Sequence, residues 1–390
     1  MGLTVLELIK LDIFKNFKLV AGQRGLDKPV EKIGILDWEF TNKIEGRIVD
    51  SEFTKGEFVL TSLLFAKEQP ELIIDALKYL EESHISGFAV KNIYYDDLPM
   101  EVIDYANRKS LPIFIFDTSV YFEDIITVAA DKIKSISNFD LLESKVDLII
   151  KMNINKAVTR EVALEINSSF KESFFVISMK EKRLIDESRI IPLIEALKKN
   201  SIMNRSSTIL KYKNSILMIY TFHKNQNETV GHDVPSLLRK MGVDISQYYI
   251  GVSTVHVDLS ELGNGINESI FAQRTGELSQ NSFNYFKDIG VYSILMPNAD
   301  NGWIQDFYNR ILSPIQSYDE KYHTELFHTA LNYIENDGKI IDTAQRLFLH
   351  KNTIRYRIGK IKELLHMEDK ELEFYEQLSM AIKLYKIYHI

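Results

Sequence analysis

Between Gln345 and Lys362 the chain places six basic residues, Arg346, Lys351, Arg355, Arg357, Lys360 and Lys362, with no aspartate or glutamate among them. Interleaved with them are Asn352, Thr353 and Tyr356, whose side chains exchange hydrogen bonds with bases or phosphates. Gly359 adds a position where another backbone can come close. At about 100° per residue of helix, Ile354, Ile358, Ile361 and Leu365 fall in one narrow stripe, which is the core face. Opposite lie Asn352, Thr353, Tyr356, Gly359 and Lys360, with Lys351 and Arg355 on one flank and Arg357 on the other. A helix lying in the major groove of double-stranded DNA needs cations for phosphates and short polar side chains near its N-terminus for base edges. On this pattern Lys351, Asn352, Arg355 and Tyr356 are expected at base edges, and Thr353, Arg357 and Lys360 on phosphates. Taken alone, such a helix is more often a solvated basic face, so its setting matters.

That setting is helical. Thr324–Glu335 carries Leu326, Phe327, Ala330, Leu331 and Ile334 on one face, and Asn336-Asp337-Gly338 ends it with a glycine. A short helix is expected over Asp342–Phe348, with Ala344 where a second helix must cross closely. After Leu349-His350, where the imidazole can bond backbone groups, the basic helix runs from Lys351 to Leu365. Helix, tight turn, helix is a DNA-binding arrangement.

The rest of the chain constrains the reading. With 390 residues there is room for two or three domains, and 45% hydrophobic with 26% charged residues is ordinary for a globular protein. The net charge of −8 disfavours a nucleic-acid partner on average, but from Lys321 to His366 the balance is +3, leaving −11 elsewhere. No cysteine is present, which removes disulfides, thiolate zinc sites and cysteine nucleophiles. His323-Thr324-Glu325 begins a zinc-deaminase pattern that no cysteine pair completes, so neither metal nor cofactor is expected. No apolar run is long enough for a membrane span, and the N-terminus lacks the features of a signal peptide, so a cytoplasmic location is expected.

Periodicity divides the chain. Residues 1–120 alternate short apolar strands (Lys32–Asp37, Glu57–Thr61, Gly87–Val90, Pro112–Phe116) with helical spacing over Pro70–Glu82 and Leu98–Lys109, an α/β domain with a largely parallel sheet. TVLELIKLDIF reads as an amphipathic helix. From 121 to 160 a helical connector follows, with a break expected in Ser135–Asp140. Residues 161–300 form an α+β domain: strands at Phe174–Met179, Thr208–Tyr212, Ile216–Phe222, Tyr248–Thr254 and Gly290–Leu295, helices at Asp233–Met241 and Leu259–Ser279. Gly263-Asn264-Gly265 reads as a break in or before that last helix. Residues 301–390 are all-α. Ligands of open α/β sheets sit beyond the carboxyl ends of strands, which nominates Asp37, Thr61, Ser62 and Asp117, although helix capping explains the same residues.

IIDTAQRLFLHKNTIRYRIGKIKELL resembles the C-terminal helix-turn-helix of the PucR/CdaR-like bacterial transcriptional regulators, through Thr343, Ala344, Leu347, Leu349, His350, Lys351, Asn352, Thr353, Ile354, Tyr356, Arg357 and Ile358. Ile341 stands where the family often has a Ser/Thr cap. GEFVLTSLLFAKEQ resembles the N-terminal domain of the same regulators, and Tyr249–Gly290 the end of their degenerate cyclase-like domain. The resemblance implies a DNA-binding regulator, not an enzyme, that responds to a small-molecule effector; the long helical connector is suited to pairing with its copy in a homodimer. Active cyclases need carboxylates and glycines in a hairpin that here is Lys211–Ser215 (KYKNS), which supplies neither. A nucleotide-metabolising enzyme and a scaffold using the C-terminal helices for protein contacts are the alternatives.

Overall fold

The computed structural model describes residues 3–37, 53–151, 155–183, 190–200, 202–223 and 233–389. They fall into two compact units, residues 1–142 and 143–390.

In the first unit, β1 (Lys18–Ala21), β2 (Lys32–Ile35), β3 (Glu57–Thr61), β4 (Gly87–Lys91) and β5 (Ile113–Phe116) form one sheet in the order β1-β5-β4-β3-β2. β2 to β5 are parallel and β1 closes the edge antiparallel to β5. Both faces are covered, which is why β3 and β5 read as unbroken buried runs rather than alternating ones. Val59, Phe88, Val90, Ile113 and Ile115 pack in one core with Ile73, Ala76, Leu77 and Leu80 of α2 (Leu72–Glu82) and with Val102 and Ala106 of α3 (Met100–Lys109). Phe58, Leu60, Ala89, Phe114 and Phe116 pack in the other, with the N-terminal segment and with Ile125 and Ala129 of α4 (Phe122–Lys151).

Two expectations need correction here, and one strand was not expected. TVLELIKLDIF is a single turn, α1 (Val5–Leu8), closed by a Thr4–Glu7 capping box, and then a 3₁₀ turn at Asp12–Phe14. After Leu8 the i+4 ladder gives way to i+3 bonds, Lys10 N donating to Glu7 O and Leu11 N to Leu8 O. The strand β1 carried no signal beyond four residues, KLVA, of half-buried pattern. Nor does Ser135–Asp140 break the connector: α4 runs through it, because no Gly or Pro interrupts the ladder and Phe139 is buried. Residues 152–154 of the expected connector lie outside the described residues. α5 (Lys156–Ile166) follows, capped by Asn155.

In the second unit, β6 (Ser173–Glu181), β7 (Thr208–Tyr212), β8 (Ser215–Phe222), β9 (Tyr248–Val252) and β10 (Phe283–Tyr285) are ordered β10-β9-β6-β8-β7. β6, β7 and β8 are antiparallel, while β10 runs parallel to β9. Described helices of this region are α6 (Ile190–Lys198), α7 (Val234–Lys240, capped by Asp233) and α8 (Leu262–Ser279). Gly263-Asn264-Gly265 lies inside α8, and a Cβ on Gly265 would come within 2.7 Å of the Phe174 ring. The Lys211–Ser215 turn is fastened to α4: Lys211 pairs with Glu143 at 3.3 Å, Lys213 N donates to Glu143, and Tyr212 donates to Asp147 at 2.8 Å. Gly290–Leu295, expected as a strand, instead leads into α9 (Tyr292–Asn298). Leu295, Met296 and Ala299 fall on one helical face and bury against Leu384 and Ile387, which overrides the β-propensity of Val291, Tyr292 and Ile294.

At the edge of the second sheet His256 stacks on Phe174, with Nδ1 3.3 Å from Glu261 and Nε2 3.2 Å from Glu268. Thr254 donates to Glu268, and Lys156 pairs with Glu261 at 3.2 Å. Burial works against the imidazolium, but the two carboxylates outweigh it and hold His256 above its ordinary value of 6.5. The His256 contact holds Glu261 below its ordinary value. Glu268, although burial opposes it, is held low by His256 and Thr254. The stability from His256 is therefore complete below about pH 6.5 and lost as pH rises through the raised folded value. That from the carboxylates is complete above their ordinary value and lost as pH falls through the lowered ones. We expect the urea midpoint to decline from about pH 6 to about pH 9 in the parent and far less in His256→Gln. Equal declines in both chains would place the titration elsewhere.

Candidate nucleic-acid interface

The C-terminal helices are α10 (Gly302–Tyr322), α11 (Leu326–Glu335), α12 (Ile340–Arg346), α13 (Lys351–Leu364) and α14 (Glu371–Tyr388). Their shared core is built on the isoleucine stripe: Ile354, Ile358 and Ile361 are buried against Ile311, Leu312 and Ile315 of α10, Ala330 and Ile334 of α11, and Phe374 and Leu378 of α14. Leu365, the expected fourth member, is half-buried at the C-cap. Asp319 of α10 caps α11, accepting from Leu326 N at 2.7 Å and Phe327 N at 2.8 Å. No local pattern in the sequence announces this cap, since the aspartate lies seven residues upstream. α11 ends at Asn336, and Gly338, at φ +74, donates back to Tyr333 O at 2.9 Å. A side chain there would also meet the Tyr375 ring at 2.9 Å.

α12 starts at Ile340 with Lys339 in the cap position and no side-chain cap bond; Ile341 is therefore not the cap but an exposed first-turn residue. Thr343 and Ala344 are buried where α12 crosses α13. The connecting turn passes through Phe348, at φ +53 and almost fully exposed, and Leu349 N donates to Ala344 O. His350 caps α13, its Nδ1 accepting from Asn352 N at 3.3 Å.

The stripe turns Lys351, Asn352, Arg355, Tyr356 and Gly359 to solvent, with Thr353 half-buried beside them. Four of the six basic residues are held by acids of other segments or of the next turn. Arg346 pairs with Glu335 at 2.7 Å, Lys360 with Glu363 at 2.7 Å, and Lys362 with Glu371. Arg357 donates to Thr329 Oγ1 at 3.0 Å and to Glu325 at 3.1 Å, and its side chain is only 20% exposed. Lys360 also lies over the Tyr318 ring. Lys351 and Arg355 make no ion pair among the described residues. Gly359 is the reverse of Gly338: a Cβ built on it meets nothing within 4 Å, so nothing in the fold requires glycine there.

In the first unit the structure brings together three of the four nominated ligand residues. Thr61 Oγ1 and Ser62 Oγ each donate to Asp37 at 3.0 Å, Ser62 N donates at 3.2 Å, and Leu63 N donates to Thr61 Oγ1. Burial pushes the Asp37 carboxyl above its ordinary value, against these hydrogen bonds. Asp117 is apart from them, at the end of β5, accepting from Ser119 and from Asn16. Its hydrogen bonds to Ser119 hold its carboxyl below the ordinary value. Among the described residues no group of three or more histidines and acids is placed to hold a metal.

Comparison with known proteins follows the same division. Residues 7–133 match the purine catabolism regulatory protein-like (PucR) family, and residues 326–384 match the PucR C-terminal helix-turn-helix domain. The chain is 24% identical to the proline-responsive transcriptional activator PutR of Bacillus subtilis, over 70% of this chain and 68% of that one. It is 31% identical to the purine catabolism regulatory protein of the same organism and 25% identical to its DNA-binding transcriptional activator AdeR. In those two the match spans only 26% of the relative. A regulator of polyketide synthase expression from Bifidobacterium adolescentis aligns over 62% of this chain and 99% of its own, at 12% identity and a TM-score of 0.25. No helix among the described residues is long and apolar enough to cross a membrane.

Removing the Asp319 carboxylate leaves the first donors of α11 without their acceptor. Asp319→Ala should lower the stability of the second unit by about 1–2 kcal/mol in urea unfolding. A loss below about 0.3 kcal/mol would show that water replaces the cap.

Proposed function

Because the chain is a transcriptional regulator of the PucR type, we propose that it binds double-stranded DNA through the exposed strip of α13. Lys351, Asn352, Arg355 and Tyr356 would meet base edges and Gly359 the closest backbone approach. The observation that carries this reading is the contrast between positions on one helix. Arg357 and Lys360 are paired with acids of the same chain, Lys351 and Arg355 make no ion pair among the described residues, and a Cβ on Gly359 would meet nothing within 4 Å. Arg357 then acts by fixing α13 on α11, Lys360 by bracing the end of the helix, and Thr353 supports the strip from its edge.

We place the protein in the cytoplasm as a homodimer, whose two α13 helices would address half-sites about one helical turn of DNA apart. The N-terminal domain is read as the effector-responsive part, and the Asp37–Thr61–Ser62 cluster as a contact whose opening or closing would accompany effector binding. The proline response named for one relative makes L-proline the first compound to test. Attachment of the β7–β8 turn to Glu143 and Asp147 gives that hairpin a structural task in place of a catalytic one.

Arg355→Ala should cost about 1–3 kcal/mol on the preferred site and narrow the gap between preferred and scrambled DNA, measured by binding isotherms. Arg357→Ala should instead lower folding stability, by about 1 kcal/mol. For Gly359→Ala the two effects should have opposite signs, with folding stability raised by about 0.5–1 kcal/mol and DNA affinity reduced. An unchanged affinity in Gly359→Ala together with an unchanged site preference in Arg355→Ala would overturn the interface.

A further inference from the structure

The first unit contains a cleft of about 210 Å³ at the amino-terminal edge of its parallel strands, the edge opposite Asp37, Thr61 and Ser62. Gly56 and Ser86, which precede β3 and β4, and Leu111, which leads into β5, place it there. Pro29, Ile85 and Leu111 give it apolar walls, and Lys28, Lys55 and His84 give it groups that carry or accept positive charge. Glu81 supplies the carboxylate of the lining and is already paired with Lys109 at 3.2 Å.

Lys28 is half-buried, and its ammonium makes neither a hydrogen bond nor an ion pair among the described residues. Burial lowers its pKa, against the attraction of Glu81. Its backbone is held on both sides: Lys28 N donates to Gly25 O at 3.1 Å, and Lys28 O accepts from Val5 N at 3.0 Å. A cation held partly out of water, near a carboxylate but with no direct acceptor, gains from an anion that joins it. The apolar walls suit a body of a few carbons, and a free phosphate would leave them uncovered.

We propose that this cleft binds a small monocarboxylate with a short apolar body. Its carboxylate pairs with Lys28 beside Lys55, and its carbon chain lies on Pro29, Ile85 and Leu111. The proposal rests on the reading of the N-terminal domain as the effector-responsive part and names the chemistry of its ligand.

Calorimetric titration of the full chain with propionate, butyrate, pentanoate and hexanoate, and with pentanamide, tests it. Saturable binding of at least one acid is expected, with pentanamide at least tenfold weaker than pentanoate. Lys28→Met should weaken binding at least tenfold, while Lys28→Arg should retain most of it. Lys28→Met and Lys28→Arg chains of equal thermal stability separate this from misfolding. No saturable binding of any acid, equal binding of acid and amide, or full binding by Lys28→Met would overturn the site. A DNA isotherm with and without the bound acid keeps the two readings apart: an unchanged isotherm removes the effector reading while leaving the site.

Discussion

Burial of Ile354, Ile358 and Ile361 is the constraint on which the proposed interface depends. Full burial of an aliphatic side chain contributes about 1.5–3 kcal/mol, so three in one stripe leave α13 a single favoured rotation about its axis. With the rotation set, the identity of every other residue on the helix becomes a direction. Asn352, Arg355, Tyr356 and Gly359 point away from the core because three isoleucines point into it. The neighbours then have to be held still. Asp319 caps α11 from α10, Gly338 turns the chain under Tyr375, and Arg357 ties α13 to α11.

Charge follows from that packing. The basic run of the sequence looks like a uniform positive face, but the acids that neutralise most of it come from elsewhere: Glu325 just before α11, Glu335 at its end and Glu371 from α14. Surface pairs of this kind add little to stability. Their larger effect is to leave Lys351 and Arg355 as the cations available to a polyanion, at the N-terminal end of the helix. The glycine beside them carries a helix-propensity cost of about 1 kcal/mol that no internal contact requires.

In the first unit the same logic applies to the sheet. Covering both faces makes the strands continuous apolar runs, legible as β without further information, and leaves the strand ends as the places where polar side chains gather. The carboxyl ends hold Asp37, Thr61 and Ser62, satisfied by one another; the amino ends hold Lys28, which is not. A rule about carboxyl ends directs attention to the first group. The second comes from segments far apart in the chain, 28–29, 55–56, 81–86 and 111, so no local pattern marks it.

Local physics was enough to determine most of the element types and the α13 faces from sequence. Helical spacing, the Asn336-Asp337-Gly338 stop and the buried runs of β3 and β5 each depend on residues close together in the chain. Where the reading went astray, a distant contact outweighed propensity: Leu295 and Met296 bury on α14, so a β-prone segment became helix, and Phe139 helped carry α4 through a stretch expected to break. What only the tertiary structure decided was which charges remain free. The sequence determined that α13 is basic and which way it faces. Folding decided that Lys351 and Arg355, not Arg357, stay unpaired among the described residues, because an ion pair is a matter of distance in space, and the partners of Arg357 lie about thirty residues away along the chain.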